Sequence, residues 1–204
     1  RRSSDLQLAL SQANALQRTG NSELAARQFA VALENYSAAA DALDEEAKFA
    51  MVAACLGNGE QAQAEAIARE VVKNNHDNPQ ILQAAKRVFD QHQLGAIGQQ
   101  LVEQTSQEVI GLNNRAVELA RGGDLQASLD LFIQAADALK QNRVITMNAA
   151  QALVAFMQKQ GANPEYTTLL DTYLERVRQL DPHHPKLTKL LEVRRRLLRQ
   201  TGGQ

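Results

Sequence analysis

The run LNNRAVELARGGDLQASLDLFIQA, residues 112–135, decides the architecture of this chain. Its first half places Leu112, Ala116 and Leu119 at helical spacing, and its second half repeats the pattern with Phe132 and Ala135. Between them, Gly122-Gly123-Asp124 breaks the periodicity. The spacing therefore predicts two short amphipathic helices joined by a tight hinge. Weaker copies of this hairpin lie on both sides. A helical hairpin repeated along a chain stacks into a solenoid, which binds other molecules along a curved face.

Upstream, Asp5 is positioned to cap a helix that buries Leu6, Leu10, Ala13 and Leu16, ended by Gly20-Asn21. Ser22 is positioned to cap a second helix carrying Leu24, Ala25, Phe29, Ala32, Leu33 and Tyr36. Residues 37–44 read either as an extension of that helix or as a connector, with Asp41, Asp44, Glu45 and Glu46 forming an acidic cluster. Phe49, Val52, Ala53 and Leu56 mark a third helix, stopped by Gly57-Asn58-Gly59. Ala64, Ile67, Ala68 and Val71 mark its partner over 60–73. Pro79 suits the first turn of a helix that buries Leu82, Ala85, Val88 and Phe89.

Gln93-Leu94-Gly95 is a weak break, after which 98–120 reads as one long helix or as two with a kink near Gly111. Beyond the central hairpin, 143–160 is a helix with Ala149, Ala150, Leu153 and Phe156 inward. Gly161-Ala162-Asn163-Pro164 is a turn, and 169–180 is a helix with Leu170, Tyr173, Leu174 and Val177 inward. After Asp181-Pro182-His183-His184-Pro185 a last helix, 186–199, closes the chain, and Gly202-Gly203 reads as a frayed end.

Composition sets the class. The 204 residues are 44% hydrophobic but only 4% aromatic, without Trp, and no strand-favouring runs occur, so an all-α chain is expected. The net charge of -1 supplies no global field for nucleic acid or membrane. A single Cys, Cys55, excludes an internal disulfide framework and fits a reducing, cytoplasmic setting. No apolar run approaches the roughly 20 residues of a membrane span. The opening Arg1-Arg2-Ser3-Ser4, without Met, reads as a fragment or processed form.

The turn markers Gly20, Gly59, Gln93, Gly123 and Gly161 lie 39, 34, 30 and 38 residues apart. A helical hairpin repeated at about 34 residues is the tetratricopeptide (TPR) period. The 109–142 segment resembles a TPR in its large Leu112, small Ala116 and Ser128, Gly123-Asp124 turn, aromatic Phe132 and Ala135. Gly20-Asn21, Ala25, Phe29 and Ala32 match in the first copy, and Gly59-Glu60, Ala64, Ala68 and Val71 match less well in the second. The third copy is degenerate, and Leu180-Asp181-Pro182 looks like the family's exit motif. The resemblance implies one TPR-like α-solenoid domain over 1–204. It would be a superhelix of four to five antiparallel hairpins at 5–44, 45–78, 79–108, 109–142 and 143–184, with a capping helix at 185–199.

A narrower resemblance rests on Val109-Ile110-Gly111-Leu112-Asn113-Asn114-Arg115-Ala116 and Arg143-Val144-Ile145-Thr146-Met147-Asn148-Ala149-Ala150. Both runs look like the TPR-carrying C-terminal region of bacterial response regulators. It implies the partner-binding output arm of a two-component system. The alternative is a structural or self-associating scaffold in a bacterial assembly, forming a homodimer.

Inner helices of such hairpins line a groove. On this register the groove residues are Arg87, Asn113, Asn114, Val117, Arg121, Met147, Asn148 and Gln151, with Gln83, Gln91 and Ala155 beside them. Asn and Arg can bind the backbone amides and carboxylates of an extended peptide; the competing reading is a solvated face, or Asn tying helices together. His183-His184 with Asp181 lacks the spacing of a metal site and reads as loop. Cys55 reads as a packing thiol. The basic last helix (Lys186, Lys189, Arg194, Arg195, Arg196, Arg199) reads as a cap, with an acidic surface as the competing partner. No catalytic, cofactor or metal motif is recognised, so the expected partner is a protein or peptide, with no nucleic acid and no membrane.

Overall fold

The structure, a computed structural model, describes residues 2–40 and 43–201. Arg1, Asp41 of the acidic cluster and Gly202-Gly203 lie outside the described residues, as do the side chains of Ser22 and Leu198. Helices and turns make up these residues, with no strand among them. The order is α1 (Arg2–Arg18), α2 (Ser22–Ala39), α3 (Glu45–Gly57), α4 (Gln61–Asn74), α5 (Pro79–Gln91), α6 (Gly95–Arg121), α7 (Leu125–Ala138), α8 (Arg143–Gln160), α9 (Pro164–Leu180) and α10 (Leu187–Thr201).

Contacts gather the chain into two compact units, Arg1–Ser106 and Gln107–Gln204. In the first, α1 packs on α2 and α3, α3 on α4 and α5, and α4 on α5. In the second, α8 packs on α7, α9 and α10, and α9 also meets α10. Elements thus meet others one or two places away in sequence within each unit, which at a coarse level is the contact pattern of an α-solenoid. The first core is built on Leu6, Met51, Val52 and Phe89, the second on Leu129, Ile145, Leu153 and Tyr173.

The hairpin turns explain why the repeats form. Gly20, Gly59, Gln93 and Gly123 all have positive φ. The residue after each donates its backbone N–H five residues back: Asn21 to Leu16, Glu60 to Cys55, Leu94 to Phe89 and Asp124 to Leu119, at 2.9–3.0 Å. These are Schellman bonds, which satisfy carbonyls that the helix end leaves unpaired. The weak break at 93–95 is therefore a full turn of the same kind, built on Gln93 at φ 63. The left-handed conformation costs a residue with a Cβ about 1–2 kcal/mol. Gln93→Gly is expected to stabilise the protein by about 1 kcal/mol, raising the melting temperature by about 2–4 °C in a thermal scan.

Helix starts are set by Asx caps. Asp44 accepts from Ala47 N at 2.8 Å, Asp124 from Ala127 N at 3.0 Å, Asn142 from Ile145 N at 2.9 Å and Asn163 from Tyr166 N at 2.7 Å. Two expected caps move. Asp5 sits inside α1, which begins at Arg2, and Asn21 rather than Ser22 precedes α2. The acidic Asp5 still favours the positive end of the helix dipole. α2 extends through Ala39, which resolves part of the 37–44 ambiguity as helix. α9 begins at Pro164 rather than near 169, because Asn163 caps it and Pro164 occupies its first position. The 98–120 region is a single helix, α6, which runs through Gly111 without a break.

Candidate functional site

One candidate site lies in the second unit, in an open cleft of about 360 Å³. The C-terminal turns of α6 give Val117, Ala120 and Arg121. The start of α7 gives Leu125, Ser128 and Phe132. One face of α8 gives Asn148, Gln151, Ala152 and Ala155. The walls are apolar, and Arg121 is the charged lining residue, exposed at the mouth. Ser128 is 2% exposed, and its Oγ has no hydrogen-bond partner among the described residues.

Four of the eight groove residues read from the sequence converge here: Val117, Arg121, Asn148 and Gln151. Helical spacing accounts for this, since 117 and 121 share a face of α6, and 148, 151 and 155 share a face of α8. Asn113 and Asn148 do tie helices together. Asn148 Nδ2 donates to Asn113 Oδ1 at 2.6 Å, joining α8 to α6. Gln151 Nε2 donates to Asn148 Oδ1 at 3.3 Å, and Lys186 Nζ donates to Gln151 Oε1 at 3.3 Å. The result is a polar ladder from α6 across α8 to the start of α10. Asn113→Ala is expected to cost about 0.5–1.5 kcal/mol in urea unfolding, because Asn148 loses its cross-helix acceptor.

Met147 corrects the sequence reading. It is 1% exposed and belongs to the second core, so it cannot face a partner. The neighbouring Asn148 takes the cleft-facing position one residue on. Asn114 is exposed on α6 but does not line the cleft, and Arg87 is exposed on α5 in the first unit.

The first unit carries a second cleft, of about 540 Å³, that the sequence reading did not find. Ala50, Ala53, Ala54 and Gly57 of α3 make its floor, and Asn14, Arg18, Asn58 and His92 its rim. The signal was present as small residues at i, i+3, i+4 and i+7, a stripe that opens space where larger side chains would fill it. Ala53, read as part of the packed line of that helix, is indeed half-buried against the first core and also borders the cleft.

Cys55 on the same helix is fully buried, and burial first and Glu60 second push its thiol up from 9.0 to about 11. The folded protein therefore holds this proton where the unfolded chain has lost it. The associated stability is present below pH 9 and falls as pH rises from about 9 to 11. Alkylation of Cys55 at pH 8.5 is expected to be slow in the native protein and fast in denaturant, as followed by mass spectrometry.

The last helix is seated as a cap. Leu187, Leu190 and Leu197 are buried, and Arg194 of α10 pairs with Asp171 of α9. His184 Nδ1 accepts from Lys186 N at 3.2 Å, a loop contact. Among the described residues no helix is long and apolar enough to cross a membrane.

No protein-family model matches the chain, and no curated protein matches it at a significant level.

Proposed function

We propose that this chain is a TPR-like α-solenoid that acts as a protein–protein interaction module, not as an enzyme. The observation that carries this reading is the cleft of the second unit. Apolar walls, an exposed Arg121 and the amides of Asn148 and Gln151 meet in one open depression. Such a surface suits a peptide or helix whose side chains enter the cleft while its polar groups meet the rim. The narrower proposal is a cytoplasmic output arm of a bacterial response regulator, supported by the resemblance of 109–116 and 143–150. In that role the clefts would select the partner that receives the signal.

A panning experiment with displayed random peptides on the full chain tests the module. Enriched peptides are expected to bind in the micromolar range, and Arg121→Ala with Gln151→Ala is expected to weaken them about tenfold or more. Failure to enrich any peptide would overturn the reading.

Self-association is the second reading. Leu8, Leu24 and Val31 of the α1–α2 hairpin are 59%, 50% and 43% exposed, although Leu24 was expected inward. Leu24 and Val31, seven residues apart on one face of α2, favour a homodimer through that face. Light scattering showing a concentration-dependent dimer that Leu24→Gln with Val31→Gln abolishes would favour it. A monomer at all concentrations would remove it.

A further inference from the structure

We propose that the outward face of α10 is a second docking surface, which takes an acidic protein segment running on from the cleft of the second unit. This inference rests on the interaction-module reading and names the charge of its partner.

The seating of α10 fixes which side chains face out. Leu187, Leu190 and Leu197 are buried in the second core, and Arg194 on the same side pairs with Asp171. Lys189, Arg195, Arg196 and Arg199 are exposed. At about 100° per residue these four fall within an arc of about 120° on the opposite side, and they span about 15 Å of helix. None of the four makes an ion pair among the described residues. Glu192 is the one acid on the helix, and it leaves that arc a net charge of +3.

Capping alone does not ask for this arrangement. Cations suit the last turn of a helix, where Arg199 lies. They oppose the positive end of the helix dipole, where Lys186 and Lys189 stand with no acid in the first turn. Arg195 and Arg196 each place a like charge one turn from Arg199, which weakens a helix slightly. Nor does the chain as a whole run basic. Residues 182–204 hold six of the 22 Lys and Arg and one of the 23 Asp and Glu, a net charge of +5, whereas 1–181 carry -6. A basic face on an acidic chain steers an anionic partner to that face.

The neighbouring cleft selects protein among anions. Lys186 Nζ donates to Gln151 Oε1 at 3.3 Å, and Gln151 lines the cleft. The basic face thus begins beside an apolar depression with Arg121 at its mouth and no carboxylate in its lining. An apolar side chain fits that depression, and a phosphate does not. A lipid surface would need the leucines of α10, which the second core already holds. Nucleic-acid bases would need aromatic rings to stack on, and α10 has none. Glutamate and aspartate carboxylates match the guanidinium fork, the way Arg clusters take acidic motifs.

Fluorescein-labelled decaglutamate, titrated into the full chain and followed by anisotropy, tests the surface. It is expected to bind with a Kd of about 10–100 μM in about 50 mM NaCl and to weaken about tenfold or more by about 300 mM. Lys189→Glu with Arg196→Glu and Arg199→Glu should weaken it about tenfold or more in a folded protein, because these side chains hold nothing else. Arg115→Glu with Lys140→Glu and Lys159→Glu makes the same change of net charge at exposed positions off α10, and should stay within about twofold. Decaglutamate carrying a Leu-Leu-Ala-Leu anchor, at whichever end binds better, should gain about tenfold. Ala155→Trp, at an exposed position lining the cleft, should remove that gain and leave plain decaglutamate unaffected.

Equal losses in the two triple variants would overturn the assignment to α10. An anchor that adds nothing would overturn the continuity with the cleft. Equal or tighter binding of decathymidylate or of phosphatidylserine vesicles would overturn the assignment to protein. No binding of decaglutamate overturns this inference alone if displayed peptides still bind the chain. If none bind, the module reading fails as well.

Discussion

Tyr173→Ala is expected to lower the unfolding free energy by about 3–5 kcal/mol, the largest single effect in the second unit. Tyr173 is fully buried and heads the large side chains of the interior. Its ring packs within the second core, and the Arg176 guanidinium lies 5.2 Å from the ring centroid. Arg176 also donates to Ala136 O at 2.7 Å, so α9 is fastened to α7 through the same residue. The phenol donates to Asp137 Oδ1 at 3.1 Å. Burial first, and the Asp137 charge second, raise its pKa far above the usual tyrosine range, so the hydroxyl stays protonated and keeps donating. Truncation removes the ring and leaves a cavity. Tyr173→Phe keeps the ring and removes only the hydroxyl, and it is expected to cost about 1 kcal/mol because exposed Asp137 rehydrates. Urea unfolding of both variants measures the difference. A Phe variant as unstable as the Ala variant would mean that the hydrogen bond, not packing, holds α9.

Gly98→Val is expected to cost about 2–3 kcal/mol in the first unit. A Cβ at Gly98 would stand 2.6 Å from Phe89 Cβ and 3.0 Å from its Cγ. Those atoms lie at the root of a fully buried side chain and cannot swing aside. Phe89→Ala alone is expected to cost about 3–5 kcal/mol by leaving a cavity. The double variant keeps the close contact with the Cβ of residue 89, but it removes the clash with Cγ, and the new Val side chain occupies part of the space that the ring vacates. The combined loss should therefore fall short of the sum of the two single losses by about 1 kcal/mol or more. Strict additivity in urea unfolding would contradict this close approach of α5 and α6.

Much of this fold was legible because it is written in local rules. The 3.6-residue period placed most of the apolar lines, and Asn163-Pro164 and Gly123-Asp124 marked a helix start and a turn through backbone chemistry that needs no tertiary partner. Gln93 was harder, because the turn takes a residue that does not advertise positive φ. Here packing of Phe89 and Leu101 into the first core outweighs the local cost. Lys48 was hidden for the opposite reason. Its type signals solvent, yet it is 2% exposed and paired with Glu70 at 2.9 Å, a partner 22 positions away.

The candidate site divides the same way. Val117, Arg121, Asn148 and Gln151 were found because a helix face is periodic. Met147 was misplaced because a rotation of one residue on a helix, about 100°, separates groove from core. Ser128, read as a small packing residue, is buried without a hydrogen-bond partner among the described residues, which no periodicity reveals.

Hydrogen exchange on the full chain with and without a panned peptide tests the central claim most directly. A module that binds through the second-unit cleft predicts protection concentrated at 117–132 and 148–155, lost in Ala155→Trp. Protection confined to 1–106, or the same protection in Ala155→Trp, would contradict it.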